Sequence, residues 1–76
     1  MTSYLDPKAL VEARRKTGLT QEALAKMVNR TTRSIVWYEA GRRCPSAETL
    51  QAIAKALNVP PVSLTTLKDY TNAPNP

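Results

Sequence analysis

Outside residues 71–76, the chain has four positions that readily adopt the left-handed backbone with which helices end: Gly18, Asn29, Gly41 and Asn58. They act as punctuation, because a helix that reaches one of them has a low-cost way to stop. Start signals stand between them. Asp6 followed by Pro7 combines an N-cap with a proline at the first helical position, and predicts a helix over 7–17. Thr20 caps a segment over 21–28, Thr31 one over 32–40, and Ser46, after Pro45, one ending near 57. Pro60 and Pro61 suit the first turn of a short fifth helix reaching about 67.

Apolar spacing supports this division. Leu24, Ala25 and Val28 share one face of the second segment, and Leu50, Ile53, Ala54 and Leu57 form a stripe on the fourth. No stretch alternates with period two strongly enough to argue for a strand. The expected fold class is therefore all-α, with five helices packed on a core of Leu10, Leu19, Leu24, Ala25, Val28, Ile35, Tyr38, Leu50, Ile53, Leu57, Val59 and Leu64. Seventy-six residues support one such core and not two. The expected domain covers 1–69, and residues 70–76, which end in "TNAPNP", are expected to form a disordered tail.

Residue usage narrows the chemistry. The chain has no histidine and a single cysteine, Cys44, so neither a His/Cys metal site nor a histidine-based catalytic dyad is available. A lone cysteine forms no internal disulfide, which suits a reducing compartment. Without clustered carboxylates or a phosphate-binding glycine loop, an enzyme is not expected, nor a cofactor, a metal or a small-molecule ligand. No apolar run approaches the roughly 20 residues of a membrane span, and the first residues lack the apolar region of a signal peptide. A cytoplasmic location is expected. Residues 1–43 hold nine Lys/Arg against four acids, whereas residues 44–76 hold two of each, so the whole net charge of +5 sits in the first part. That asymmetry points to a polyanionic partner, nucleic acid first, although a solvated basic surface would have the same composition.

The charge-rich part contains "RTTRSIVWYEAGRRCPS", residues 30–46, where Val36, Trp37 and Tyr38 stand in a row. On a helix these three cannot all face one core. Ile35 and Tyr38, three apart, share a face; Thr32, Arg33, Val36, Trp37 and Ala40 share the opposite one. Turning Trp37 inward would bring Arg33 or Ser34 with it, which makes a poorer core. Val36 and Trp37 are therefore expected to face outward beside Arg33, an apolar pair of the kind that marks a binding surface. Trp37 lying flat on a neighbouring loop is the competing arrangement.

The sequence resembles the phage-repressor/Cro (Xre-type, lambda-repressor-like) helix-turn-helix family over about residues 10–67. The resemblance is carried by Gly18-Leu19-Thr20-Gln21-Glu22, Leu24-Ala25, Ser34-Ile35, Glu39-Ala40-Gly41-Arg42 and Pro45-Ser46, in this order and spacing. Three positions depart from the pattern. Asn29 replaces a turn glycine, Arg30 stands where an apolar residue is common, and Ala13 replaces a larger aliphatic residue. The resemblance implies a compact five-helix DNA-binding domain whose helices 2 and 3 form the helix-turn-helix. The third helix would lie in the major groove, where each base pair shows a distinct edge. Thr32, Arg33, Val36 and Trp37 are then the candidate base readers, with Arg33 able to reach guanine N7 and O6 together. Gln21, Thr31, Arg42 and Arg43 are candidate phosphate ligands, with a solvated loop as the other reading of Arg42 and Arg43. Lys8, Arg15 and Lys16 read as a solvated face. The resemblance also implies a structural ion pair between Arg14 and Glu39.

The expected function is that of a sequence-specific regulator of transcription, bacterial or phage and repressor-like, bound to double-stranded DNA. One recognition helix covers few base pairs, so a two-fold operator and a homodimer at least on DNA are expected, with Leu64, Leu67 and Tyr70 as candidate dimer contacts. The alternative is a protein-interaction module, an antitoxin or adaptor, using the same helix 3 surface.

Overall fold

Each α-helix among the described residues starts on a side-chain oxygen. Asp6 accepts from the backbone N–H groups of Lys8 and Ala9 at 3.1 and 3.4 Å. Thr20, Thr31 and Ser46 accept from Ala23, Ser34 and Thr49 at 3.0, 3.1 and 3.2 Å. These bonds satisfy donors that the first turn leaves without an intrahelical partner. In the computed structural model, which describes residues 5–66, they open α1 (Pro7–Lys16), α2 (Gln21–Met27), α3 (Thr32–Glu39) and α4 (Ala47–Ala56).

The helix ends share one geometry. Gly18 and Gly41 have φ of 75°, and Asn29 and Asn58 have φ of 57°. After each of them the next backbone N–H reaches back five residues, from Leu19 to Arg14, Arg30 to Ala25, Arg42 to Trp37 and Val59 to Ala54, at 2.9 to 3.3 Å. This is the Schellman closure, repeated four times, and it places the helix ends within a residue of their expected positions.

The fifth helix is corrected. Pro61–Leu64 is a single 3₁₀ turn and the described residues beyond it are not helical. Thr65 is already extended (φ −118°, ψ 163°) and bridges Leu5 in antiparallel fashion, so the chain leaves helical geometry after one turn. Asp6 N–H donates to the Leu64 carbonyl at 2.9 Å, so the turn closes against the start of α1. The described residues thus form four α-helices and one 3₁₀ turn, with this isolated bridge and no strand. The tail expected at 70–76 lies outside the described residues.

The core gathers Leu10, Leu24, Ala25, Val28, Ile35, Tyr38, Leu50, Ile53, Leu57 and Leu64 as expected, and adds Leu5 and Ala54. Leu5 precedes any helix, so no periodicity could announce it. Leu19 and Val59 are half-buried at the edge of the core and not inside it. Each sits just past a positive-φ residue, where it covers a helix end.

Ala9 and Ala13 on α1 leave an open cleft of about 260 Å³ against Leu57, Val59 and Leu64. The larger side chain that Ala13 replaces would occupy part of it. Ala13→Leu should therefore stabilise the fold by about 0.5–1 kcal/mol, as cavity-filling changes do, and raise the midpoint of a thermal melt. A lower midpoint would mean that the cleft takes the side chain only with strain.

Candidate nucleic-acid interface

α3 is held by its Ile35 and Tyr38 face, which is 0% and 8% exposed. Its other face is thereby fixed toward solvent: Thr32 and Arg33 are exposed, and Val36 is 40% exposed. α2 packs more extensively on α3 than on any other element, and Val28, Asn29, Arg30 and Thr31 alone connect the two. A short α2, a tight turn with Asn29 at positive φ and a half-exposed α3 make the helix-turn-helix geometry.

Trp37 is half-buried, so it neither enters the core nor stands fully clear of the surface. The Arg43 guanidinium carbon lies over its ring at 4.9 Å from the centroid, and that of Arg33 at 5.8 Å. The Arg33 contact joins residues four apart on one helix and was readable from spacing. The Arg43 contact was not, because it crosses the helix end at Gly41 and depends on the path of the loop.

Arg42 and Arg43 are exposed in the loop after α3, and Thr31 is exposed before it. Thr31 Oγ1 already accepts from the Ser34 N–H and lies 3.0 Å from Ser34 Oγ, so its oxygen is engaged in capping. Gln21 is half-buried at the start of α2, and its Nε2 donates to Glu39 Oε1 at 2.9 Å. An amide nitrogen carries two hydrogens, so one remains for a phosphate.

Glu39 is the junction of three helices. Arg14 Nε donates to its Oε2 at 2.6 Å and Arg14 Nη2 to its Oε1 at 3.1 Å, a two-pronged pair with side chains 12% and 7% exposed. Arg14 Nη1 also donates to the Leu19 carbonyl at 2.9 Å, which ties the α1–α2 connection to the same cluster. Arg14 (α1), Gln21 (α2) and Glu39 (α3) are thus locked together, and α3 is set against the other two. The Gln21 bond carried no signal in the sequence, since eighteen positions separate the partners.

Arg30 also differs from its neighbours. Its Nη2 donates to the hydroxyl of Thr49 at 2.9 Å, and Thr49 is 5% exposed. Ser46 Oγ donates to the same hydroxyl at 3.0 Å. The departure at position 30 therefore joins the α2–α3 turn to the start of α4, and this arginine is engaged in structure. Among the candidate dimer contacts, Leu64 is corrected: it is 1% exposed and fills the core between α1 and α4, so it offers no surface to a second copy. Leu67 and Tyr70 lie outside the described residues.

Comparison with known proteins agrees with this geometry. A helix-turn-helix family model matches residues 10–64. The chain is 42% identical over 52 residues to multiprotein-bridging factor 1 of Candida albicans, covering 68% of this chain and 34% of that protein, so it spans about a third of that relative's length. Its structure is similar to the P22 c2 repressor in complex with a synthetic operator, with a TM-score of 0.77 and 31% identity over 84% of this chain and 97% of the repressor chain. It is also similar to the restriction-modification controller protein C.AhdI from Aeromonas hydrophila, with a TM-score of 0.73 and 31% identity over 76% of this chain and 88% of the controller. No helix among the described residues is long and apolar enough to cross a membrane. With most of its length matched by the family model and its α2–turn–α3 unit built as described, the chain belongs to the lambda-repressor-like helix-turn-helix family of DNA-binding regulators.

Proposed function

We infer that this chain is a sequence-specific regulator of transcription that places α3 in the major groove of double-stranded DNA. The observation that carries this reading is the exposed face of Thr32, Arg33, Val36 and half-buried Trp37, opposite Ile35 and Tyr38 and followed by exposed Arg42 and Arg43. Arg33 presents two donors suited to guanine, Thr32 a hydroxyl and a methyl, and Val36 an apolar surface for a thymine methyl. Arg42 and Arg43 would grip phosphates beside the groove, with Gln21 and Thr31 as smaller contributors on the other side. The α3 surface reads few base pairs, so two copies on a two-fold operator would supply the length a specific site needs.

Selection of bound sites from random duplex DNA tests the reading, with a symmetric motif containing a guanine in each half as the expected result. Failure to enrich any motif would overturn it. On the selected site, Arg42→Ala and Arg43→Ala should each weaken binding to all sequences and flatten the salt dependence by roughly one phosphate's worth. A changed base preference in either variant would move that residue from phosphate to base contact.

A second reading has one observation behind it. The Candida albicans relative is named for bridging proteins, and Val36 is an exposed apolar residue that a protein could cover as well as a thymine. In that case the chain is an adaptor or antitoxin-like module, and the selection yields no motif.

A further inference from the structure

Trp37 is the chain's single tryptophan. It has two guanidinium groups over its ring, Arg43 at 4.9 Å and Arg33 at 5.8 Å, both within the distance of about 6 Å at which a cation is attracted to the ring face. Among the described residues neither guanidinium has an acidic partner; the salt bridge there is Arg14–Glu39. The arginines come from opposite sides in sequence, Arg33 one turn earlier on α3 and Arg43 from the loop past Gly41. The indole is what they share.

We propose that Trp37 is a positioning residue that holds Arg33 and Arg43 in one arrangement before DNA arrives. It thereby couples the base-reading cation to the phosphate-binding one. The inference rests on the reading of α3 as the recognition helix. Its physical basis is the shape of the guanidinium. Stacking occupies the face of that planar group and leaves its edge, which carries the N–H donors, free for guanine or phosphate. An arginine on a bare helix surface must lose many rotamers when it binds; one already resting on an indole has fewer to lose, and the saving appears as affinity. Because both cations rest on one ring, removing the ring should loosen both, whereas a residue that only touched a thymine methyl would affect one base pair. The half-burial of Trp37 fits this role, since the ring is anchored at the protein surface and does not project as a probe.

The experiment compares Trp37→Phe, which keeps a ring, with Trp37→Leu, which keeps apolar bulk without one. In the free full-length protein, the side-chain proton resonances of Arg33 and Arg43 should be displaced by the ring current. Trp37→Leu should abolish that displacement and Trp37→Phe retain part of it. On the selected duplex, Trp37→Leu should weaken binding on the order of 5- to 30-fold, the worth of two exposed cation–π contacts, with Trp37→Phe in between. Arg33→Ala and Arg43→Ala should each cost less in the Trp37→Leu background than in wild type. Should Trp37→Leu not fold, Trp37→Phe with Arg43→Ala carries the same cycle. Strict additivity, or arginine resonances that ignore the loss of the ring, would overturn the proposal while leaving the DNA reading in place. A wild type that selects no duplex at all overturns both.

Discussion

Glu39→Ala should lower the stability of the fold by about 2–4 kcal/mol, enough to move the melting temperature of so small a domain by roughly 10 °C or more. The effect is large because the carboxylate accepts three hydrogen bonds at once, two from Arg14 and one from Gln21. Its removal leaves a guanidinium only 12% exposed without its counter-charge. The two charges are close to buried, so most of this cost is the desolvation of what remains rather than the attraction lost. The pair should therefore be strongly coupled. Arg14→Ala added to Glu39→Ala should cost much less than Arg14→Ala alone, because a residue whose partner is gone has little left to lose. A Glu39→Ala melt that overlays wild type would show that the helices are held by their apolar faces alone. A loss of DNA affinity in this variant is expected to follow from the tilt of α3, since Glu39 is not itself placed at the DNA.

Arg33→Ala should weaken binding to the preferred duplex by about 1–3 kcal/mol, or roughly 5- to 150-fold, and should lower the melting temperature by no more than the few degrees that one exposed cation–π contact is worth. Arg33 is exposed and caps nothing, and its one described contact within the protein is with the Trp37 ring, so the loss falls mainly on binding. The informative comparison is Arg33→Lys. A lysine keeps the charge but not the planar fork, so it should hold non-specific affinity while failing to distinguish guanine at one position of each half-site. Repeating the site selection with both variants checks this. If the enriched motif stays the same with alanine at position 33, α3 is not the reading helix, whatever the fold.

Most of the architecture was legible because it is written in local chemistry. Asp6, Thr20, Thr31 and Ser46 can cap, and Gly18, Asn29, Gly41 and Asn58 can reverse, without reference to anything distant. The inward turn of Ile35 and Tyr38 followed from helical spacing, and with it the outward turn of Arg33 and Val36. The misplaced elements are those whose fate depended on a neighbour. Residues 60–65 had helical start signals, but Thr65 found Leu5 and the chain took an extended course. Leu64 was expected in the core and also as a partner contact; packed against α1 and α4 it is 1% exposed, so only the first of the two holds.

The division is sharpest among the arginines, which look alike in sequence. The sequence by itself determined where helices start and stop, which face of α3 is apolar, and that an excess of positive charge lies in residues 1–43. Beyond the Arg14–Glu39 pair, which the family resemblance implies, and the one-turn spacing of Arg33 and Trp37, only the tertiary structure decided how the cations are used. Arg14 is engaged by Glu39, Arg30 by Thr49, and Arg33 and Arg43 by the ring of Trp37, while Arg42 stands exposed in the loop. A side chain's charge is a property of the residue, but its availability depends on which acceptor or ring the fold brings within a few ångströms, and Glu39 and Thr49 lie 25 and 19 positions from the arginines they engage.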